Sequence, residues 1–348
     1  MAGLEIRKKE NLRLSVFASS ISSFWRQLED NGVDPAPLFR KYGIDSSFVF
    51  DPGSRVSYAK LDQVMGEAIE QSGDPFFSLK EAEYLLPGHL GPLGFAWLAS
   101  TCLRSAFQRV QRYIKVLHEN MQVTLRDSED ALVVSFHLDA PSVNLYHRDI
   151  GYLAFVCKMC RFNYGDQWNP LRVTVAHPPP PDQSYFYSLF RCPVDFSAQE
   201  NSLHIDLKQA DKRLTGASIQ LAQLNDHIVV KYLAHLSRKD IVNRVKAAIL
   251  NGLGEGAATE SFIAQAMNTS IRNLNRKLSN EGTNFKSLLM EIRRELAEQY
   301  ISDSTLTLTE ISFLLGFSEV SSFSRAYRRW EGQSPSEARK SRQSLADM

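Results

Sequence analysis

Two stretches near the C-terminal end of this 348-residue chain repeat one pattern of apolar and polar residues. The first covers residues 262–282 and the second covers residues 310–332. Matching positions lie 48 residues apart at the start of the pattern, 49 apart at Arg276 and Arg325, and 50 apart at the closing Glu-Gly pair. This stepwise increase in spacing indicates two copies of one structural unit, offset from each other by single residues at two points.

Each copy predicts a helix–turn–helix, with the turns at residues 268–270 and 316–318. Apolar residues on both sides of each turn pack the two helices together, so the polar residues of the second helix share the opposite face. Arginine can pair with guanine, asparagine with adenine, and serine with either base. A plain helical bundle with a solvated face is the alternative, but two copies with matched arginines favour DNA recognition. The residues that we expect to contact bases are Arg272, Asn275, Arg276, Ser321, Ser324 and Arg325.

Charge and spacing agree with this interpretation. Residues 237–348 contain 16 Lys and Arg against 13 Asp and Glu, whereas residues 1–236 contain 24 against 26. The basic residues that we expect to contact phosphates are Lys277, Arg328 and Arg329. Residues 284–302 predict one helix roughly 27 Å long. Such a linker helix would hold two recognition helices in successive major grooves, which lie about 34 Å apart.

These residues carry a resemblance to a known family. The stretch IxxLLGFSxxSSFSRAYRRWEGQSPSE at 311–337 resembles the second helix–turn–helix of the AraC/XylS family of bacterial transcription regulators. The stretch LNRKLSNEGTNFKSLL at 274–289 resembles the first. The family's base-contacting positions then fall on the six residues named above, although Arg272 stands where some members have an aromatic residue. The resemblance implies a transcription regulator that binds double-stranded DNA, with RNA polymerase as a further expected partner.

The first 210 residues alternate between helical and strand periodicity. Segments with helical spacing cover about 18–30, 57–71, 92–118 and 145–164, and strands are predicted at 121–125, 132–138, 171–175, 194–197 and 201–207. The predicted fold class is an α+β N-terminal sensor domain followed by an all-α DNA-binding domain, in which a linker helix joins two helix-turn-helix units. The predicted domains are 1–210 for effector binding and dimerisation, 211–236 for a helical linker, and 237–348 for DNA binding.

The N-terminal segment also resembles the effector-binding domain of regulators such as those that respond to ornithine, most clearly over GHLGPLGFAWLAS at 88–100. This resemblance implies sensing of a small-molecule effector and homodimerisation. We expect a largely apolar pocket with one or two polar anchors, suited to a small carboxylate metabolite. The candidate effector-binding residues are His89 and Trp97. The Gly- and Pro-rich segment 87–94 fits a turn before a core helix better than a site for an anionic group.

Several classes of protein are excluded by the sequence. No apolar run approaches the roughly 20 residues of a membrane span, and the first 17 residues lack the apolar core of a secretion signal. Four cysteines are too few for a disulfide framework and indicate a cytoplasmic protein. The pair Cys157 and Cys160 has no second pair at metal spacing, so we interpret both as core thiols.

Catalytic motifs are absent as well. The sequence contains no GxSxG, HExxH, Walker or dinucleotide-binding pattern, so no catalytic residue, metal or cofactor is expected. Two alternatives to an effector-controlled regulator stay open. One is a ligand-independent architectural or virulence-type regulator, and the other is an enzyme that carries a DNA-targeting module.

Overall fold

The computed structural model describes residues 14–45, 54–139, 142–236, 241–253, 257–301 and 306–346. The chain divides into two compact units, Met1–Ala217 and Ser218–Met348. Residues 1–13, on which the absence of a secretion signal was judged, lie outside the described residues. The same holds for the predicted start of the DNA-binding domain at residue 237.

Two sheets organise the strands of the N-terminal unit. A small sheet pairs β1 (Ser15–Phe17) with β2 (Arg55–Ser57). A second sheet has five strands, which are β3 (Met121–Asp127), β4 (Ala131–Leu138), β5 (Arg172–Val175), β6 (Val194–Phe196) and β7 (Asn201–Asp206). Its order is β3-β4-β7-β5-β6, and β5 and β6 are its parallel pair. The predicted hairpin at 121–138 is confirmed.

Nine helices of the described N-terminal unit surround these strands. They are α1 (Ser22–Asp30), α2 (Pro35–Lys41), α3 (Tyr58–Ser72), α4 (Phe77–Lys80), α5 (Gly91–Leu98), α6 (Leu103–Tyr113), α7 (Leu145–Tyr164), α8 (Ser184–Phe190) and α9 (Leu207–Asp211). Short 3-10 turns at Ala18–Ile21, Glu81–Tyr84, Pro87–Leu90 and Ile114–Val116 join some of them. The α+β class predicted for this unit is confirmed.

The single helix predicted over 92–118 is wrong, because the chain breaks between α5 and α6. Cys102 has an extended backbone, and the Ser105 side chain accepts a hydrogen bond from its backbone N–H at 3.1 Å. Small polar residues at 100–102 compete with the helix by forming such local bonds. The apolar stripe continues across the break, and periodicity alone therefore did not reveal it.

Helix α7 forms the centre of the N-terminal unit. It packs against α4, α8 and strands β4 and β7, and its residues Ile150, Leu153 and Cys157 are fully buried. Apolar residues cover most of its circumference, as expected for a helix enclosed on several sides. Arg148 also lies on this helix and is only 5% exposed. A buried charge of this kind needs partners, and those partners define the site described below.

The C-terminal unit is helical throughout its described part. Its helices are α10 (Ile219–Leu236), α11 (Ile241–Leu253), α12 (Glu260–Ala266), α13 (Ile271–Asn280), α14 (Phe285–Ile301), α15 (Leu308–Leu314), α16 (Val320–Glu331) and α17 (Pro335–Ala346). The pairs α12–α13 and α15–α16 are the two predicted helix–turn–helix units, and α14 is the predicted linker helix between them. The expected fold class is confirmed in both units.

Candidate DNA interface and effector cavity

Helix α13 is the second helix of the first helix-turn-helix unit. Ser270 caps it, because its hydroxyl oxygen accepts a hydrogen bond from the Asn273 backbone N–H at 3.2 Å. Leu274 and Leu278 are fully buried and belong to the same apolar core as Ile263. The opposite face is therefore free of packing. The structure exposes Arg272, Arg276 and Lys277 on it and leaves Asn275 half-buried.

Helix α16 repeats this arrangement in the second helix-turn-helix unit. Phe323 and Tyr327 are buried against the core that contains Ile311. The other face carries the predicted contact residues. Ser321, Arg325, Arg328 and Arg329 are exposed, and Ser324 is half-buried.

The two matched arginines are held in the same way. Nη2 of Arg276 donates to Oδ1 of Asn273 at 3.0 Å, and Nη2 of Arg325 donates to the hydroxyl oxygen of Ser322 at 3.3 Å. In each copy the acceptor lies three residues before the arginine, one helical turn away. Each bond orients a guanidinium along its helix and leaves its other donors available. Sequence reasoning missed Asn273 and Ser322, although the i−3 spacing from each arginine was the signal that could have found them.

Ser321 differs from the other predicted base contacts. Its hydroxyl donates to Oε2 of Glu319 at 2.9 Å, so it lies beside a carboxylate just before α16 begins. Of the predicted phosphate contacts, Arg328 has Nη2 at 3.8 Å from a carboxylate oxygen of Glu337. Both groups of that pair are more than half exposed, so the attraction is weak in water and the guanidinium can exchange partners.

Linker helix α14 is fastened to the second unit by polar contacts. The Tyr327 hydroxyl donates to Oε1 of Glu298 at 2.7 Å, and Nε of Arg294 donates to Oε1 of Glu331 at 2.7 Å. The helix also packs on α11, α15 and α17. Its 17 residues span roughly 25 Å. These contacts fix the second recognition helix relative to the linker.

A cavity of about 150 Å³ lies inside the N-terminal unit. Its lining residues come from β1, the helices α1, α3, α5, α6 and α7, the 3-10 turns and connections between them, and the β3–β4 hairpin. Most of the lining is apolar and includes Phe24, Leu61, Phe107, Val110, Met121, Phe136, Phe155 and Met159. The polar side chains on its wall are Ser20, Glu81, His118, His147, Arg148 and Tyr152. An apolar cavity with a few converging polar groups is typical of a small-molecule site.

Arg148 is the centre of the polar cluster. Its Nη2 atom lies 2.9 Å from the Tyr152 hydroxyl oxygen and 3.0 Å from Nε2 of His118. Its guanidinium also stacks on the ring of Tyr58, with 4.1 Å from the guanidinium carbon to the ring centroid. Asp62 is 3.7 Å from Nη1, which is too far for a hydrogen bond. Sequence reasoning missed this cluster, and an arginine at position 148 in the largely apolar segment 145–164 was its signal.

The two predicted effector-binding residues are separated in the structure. Trp97 is 3% exposed, lines the cavity and donates from Nε1 to the Met159 carbonyl oxygen at 3.0 Å. His89 is not among the lining residues. Its Nδ1 accepts a hydrogen bond from the Leu86 backbone N–H at 3.3 Å within the 3-10 turn at Pro87–Leu90.

The thiols of Cys157 and Cys160 are buried in the core, and neither forms a disulfide. Burial raises the pKa of Cys157 to about 11, so the reactive thiolate is disfavoured at neutral pH. Across the described residues no group of three or more His, Cys, Asp or Glu could hold a metal ion. In the same residues, no helix combines the length and the apolar character that crossing a membrane requires.

Comparison with known proteins agrees with this geometry. The model of the N-terminal arabinose-binding domain of AraC transcription regulators matches residues 32–214, more than half of the chain, and a helix-turn-helix domain model matches residues 263–341. The ornithine utilization regulator of Pseudomonas aeruginosa is 29% identical over 318 residues, which cover 87% of this chain and 93% of that protein. The transcriptional regulator VirS of Mycobacterium tuberculosis is 23% identical over 326 residues, with 92% and 95% coverage.

Among solved structures, the transcriptional regulator CdpR of Pseudomonas aeruginosa aligns with a TM-score of 0.48 at 19% identity, covering 91% of this chain and 98% of that one. The matched models cover both units, and the curated relatives match along nearly the full length. The chain therefore belongs to the AraC family of DNA-binding transcription regulators, with an N-terminal effector-binding domain and a C-terminal helix-turn-helix domain.

Proposed function

We propose that this regulator recognises DNA by placing α13 and α16 in successive major grooves, where Arg276 and Arg325 each pair with a guanine. The matched hydrogen bonds of these arginines, to Asn273 and Ser322, are the observation that carries the proposal. A preoriented guanidinium suits bidentate contact with guanine O6 and N7.

The surrounding residues have supporting roles in this proposal. Arg272, Asn275, Ser321 and Ser324 contact neighbouring bases, and Lys277, Arg328 and Arg329 bind phosphates. The exposure of the three basic side chains supports the second role. Phosphate contacts position the protein without distinguishing sequences.

The N-terminal unit controls this activity through a small-molecule effector held in the apolar cavity. We assign residues 1–210 to effector binding and dimerisation, 211–236 to a helical linker, and 237–348 to DNA binding. Trp97 forms part of the cavity wall, and His89 acts from outside it, through the turn that precedes α5. The cavity favours this proposal over a ligand-independent architectural or virulence-type regulator, because a protein without an effector has no use for one.

A homodimer is the proposed working form, and it needs contacts both from residues 1–210 and from helix α10 of the linker that follows them. Helix α10 carries three exposed apolar side chains at i, i+3 and i+7, namely Leu221, Leu224 and Ile228, which are 55%, 59% and 45% exposed. Such a stripe on one helix face is typical of a helix that pairs with a second copy. Two chains would place four recognition helices on DNA and increase affinity through effective concentration.

The remaining assignments follow from this role. The four cysteines are free, which supports a reducing cytoplasm. The names of the curated relatives describe regulators, and this supports a protein that contacts RNA polymerase and catalyses no reaction.

Selection of binding sites from a random-sequence DNA library with the full chain tests the proposal. We expect each half-site of the enriched sequences to contain two short blocks about 10 base pairs apart, each with an invariant guanine. Enrichment of a single block, or of no sequence, would contradict recognition by two helices.

A further inference from the structure

The cavity wall has an excess of hydrogen-bond donors at one end. Nη2 of Arg148 is fully used, because its two hydrogens go to Tyr152 and His118. Nε and Nη1 of the same guanidinium are buried and have no hydrogen-bond partner among the described residues. Arginine is always charged and can only donate, so these N–H groups require an acceptor.

His118 adds another donor to this end of the cavity. Its Nε2 must accept the hydrogen bond from Arg148, because a guanidinium cannot accept one. Burial, together with the nearby Arg148 and Arg55 guanidinium groups, holds the pKa of His118 well below its usual range. The ring is therefore neutral with its hydrogen on Nδ1. That atom is buried and has no hydrogen-bond partner among the described residues.

Glu81 does not supply the missing acceptor. Its Oε1 accepts a hydrogen bond from the Ser23 hydroxyl at 2.9 Å. Asp62 forms a buried ion pair with Arg148, but its Oδ1 lies 3.7 Å from Nη1, beyond hydrogen-bond distance, and accepts a hydrogen bond from the Ser142 hydroxyl at 2.6 Å. Burial raises the pKa of Glu81 to about 7, so the side chain is largely protonated just below neutral pH. A buried donor without a partner is costly, so these groups favour a ligand that brings hydrogen-bond acceptors.

We propose that the effector is a compact monocarboxylate with an uncharged, apolar body, and that its carboxylate accepts hydrogen bonds from Arg148 and His118. This inference rests on the proposed role of the N-terminal unit as an effector sensor. The apolar body lies against Trp97 and Phe107, whose rings meet edge to face with centroids 4.8 Å apart. The cavity volume of about 150 Å³ is that of an engineered cavity that holds benzene, so the body has the size of one ring or a short branched chain.

The same lining disfavours two other ligand classes. A sugar would bury several hydroxyl groups against Phe24, Leu61 and Phe136, where they find no partners. An amino acid would bring an ammonium group close to its own carboxylate, and therefore close to the Arg148 guanidinium. Like charges at this distance in a poorly solvated site repel strongly. The ammonium would also add donors where donors are already in excess.

Calorimetric titration of the full chain with four matched compounds tests the proposal. The probes are phenylacetate, its neutral amide phenylacetamide, the amino acid L-phenylalanine, and L-arabinose. We expect phenylacetate to bind at least tenfold more tightly than each of the others, because only it offers an anionic acceptor without a cation. Equal or tighter binding of the amide, the amino acid or the sugar would overturn the proposal. Absence of binding by all four would also overturn it.

Two variants on helix α7 locate the site. Arg148→Gln should weaken phenylacetate binding at least 30-fold, because removing one partner of a buried charged pair is costly. Arg161→Gln removes an equally buried guanidinium that bonds to Trp168, Asn169 and Leu189 and does not line the cavity. This control should bind phenylacetate within about twofold of the parent chain, and loss of binding in both variants would overturn the assignment of the site.

The titrations with the four compounds use the parent chain, so they test the proposal even if Arg148→Gln fails to fold. DNA selection is measured separately. If enrichment of DNA persists while no carboxylate binds, this inference fails and the proposed DNA recognition stands.

Discussion

Nη2 of Arg293 donates a hydrogen bond to the backbone carbonyl oxygen of Gly316 at 2.7 Å. Its Nε donates to the carbonyl oxygen of Leu315 at 2.8 Å, and the guanidinium stacks on Phe317 at 4.3 Å from the ring centroid. One side chain of the linker helix thereby satisfies two carbonyl groups in the turn of the second helix-turn-helix unit. The linker determines both the distance to this unit and the conformation of its turn.

We predict that Arg293→Lys destabilises the second helix-turn-helix unit by about 1–2 kcal/mol. A lysine ammonium cannot reproduce the planar guanidinium that donates to two carbonyl groups at once. Hydrogen–deuterium exchange of residues 308–331 in the full chain measures this free energy of opening. The neighbouring Arg294→Lys is the control. Arg294 forms a partly exposed ion pair with Glu331 that a lysine ammonium can still make, so this change should cost less than about 0.5 kcal/mol. Similar effects of the two variants would show that Arg293 does not hold the turn.

Gly316 has a φ of +67°, and a Cβ there would lie 3.2 Å from Cδ2 of Leu253 and 3.3 Å from Nη2 of Arg293. Gly316→Ala should therefore cost about 2–3 kcal/mol, from backbone strain plus the close contacts. Gly282 is the matched control, since its φ is +71° and nothing lies within 4 Å of its Cβ position. Gly282→Ala should cost only the strain, about 1 kcal/mol. Hydrogen–deuterium exchange of residues 308–331 measures the first cost and exchange of residues 271–289 the second, and an equal cost would contradict the close packing at Gly316.

Glu81 makes the N-terminal unit less stable as pH rises. Burial raises its pKa from the ordinary 4.5 to about 7 in the folded chain, so between these pH values the folded state retains a proton that the unfolded state has lost. The free energy of unfolding should fall by up to roughly 3 kcal/mol from pH 4.5 to 7. Buried neutral histidines such as His118 act in the opposite sense below about pH 6.5, where the unfolded chain becomes protonated first.

The comparison of Glu81→Gln with the parent chain isolates the carboxyl group, because the histidines are the same in both. The variant should gain stability relative to the parent as pH rises from 5 to 8, measured by urea unfolding. A constant difference between the two proteins across this range would show that Glu81 has an ordinary pKa.

Leu224→Glu should break the homodimer, because it places a charge in the centre of the apolar stripe on α10. Sedimentation velocity of the full chain at tens of micromolar should then show a monomer in place of a dimer. Phe313→Glu places the same charge on an equally exposed apolar side chain of a different helix, α15, and should leave the dimer intact. A monomeric parent chain, or a dimeric Leu224→Glu variant, would contradict this assembly.

Local patterns predicted the C-terminal unit well. Periodic apolar residues such as Leu274 and Phe323 are signals within one turn of the chain, so both helix-turn-helix units and the linker helix were visible in the sequence. The positions of Arg276 and Arg325 follow from the same spacing. Their side-chain partners Asn273 and Ser322 depend on rotamers, which periodicity does not report.

The effector cavity could be predicted only in its general character. An apolar pocket with few polar anchors was expected, and Trp97 lies on its wall. The polar cluster joins His118, which follows α6, to Arg148 and Tyr152 on α7, with Glu81 from a distant 3-10 turn. No sequence spacing connects these residues, because tertiary packing brings them together. The buried position of Arg148 in a long apolar segment was the sole local sign.

The central claim is that Arg276 and Arg325 recognise bases. Replacing either arginine by alanine should weaken the free energy of binding to the selected site by about 1–3 kcal/mol and relax specificity at one base pair. The two relaxed positions should lie about 10 base pairs apart. Lys277→Ala and Arg329→Ala are the controls, which should weaken binding to all sequences alike and reduce the salt dependence by about one unit of slope for each contact.

The most direct measurement is the affinity of Arg276→Ala and Arg325→Ala for a library that contains every single-base variant of the selected site. Recognition of bases predicts that each variant becomes indifferent to one base pair and keeps its discrimination at all the others. Equal loss of affinity for every library member, including random sequence, would show that these arginines bind only the phosphate backbone.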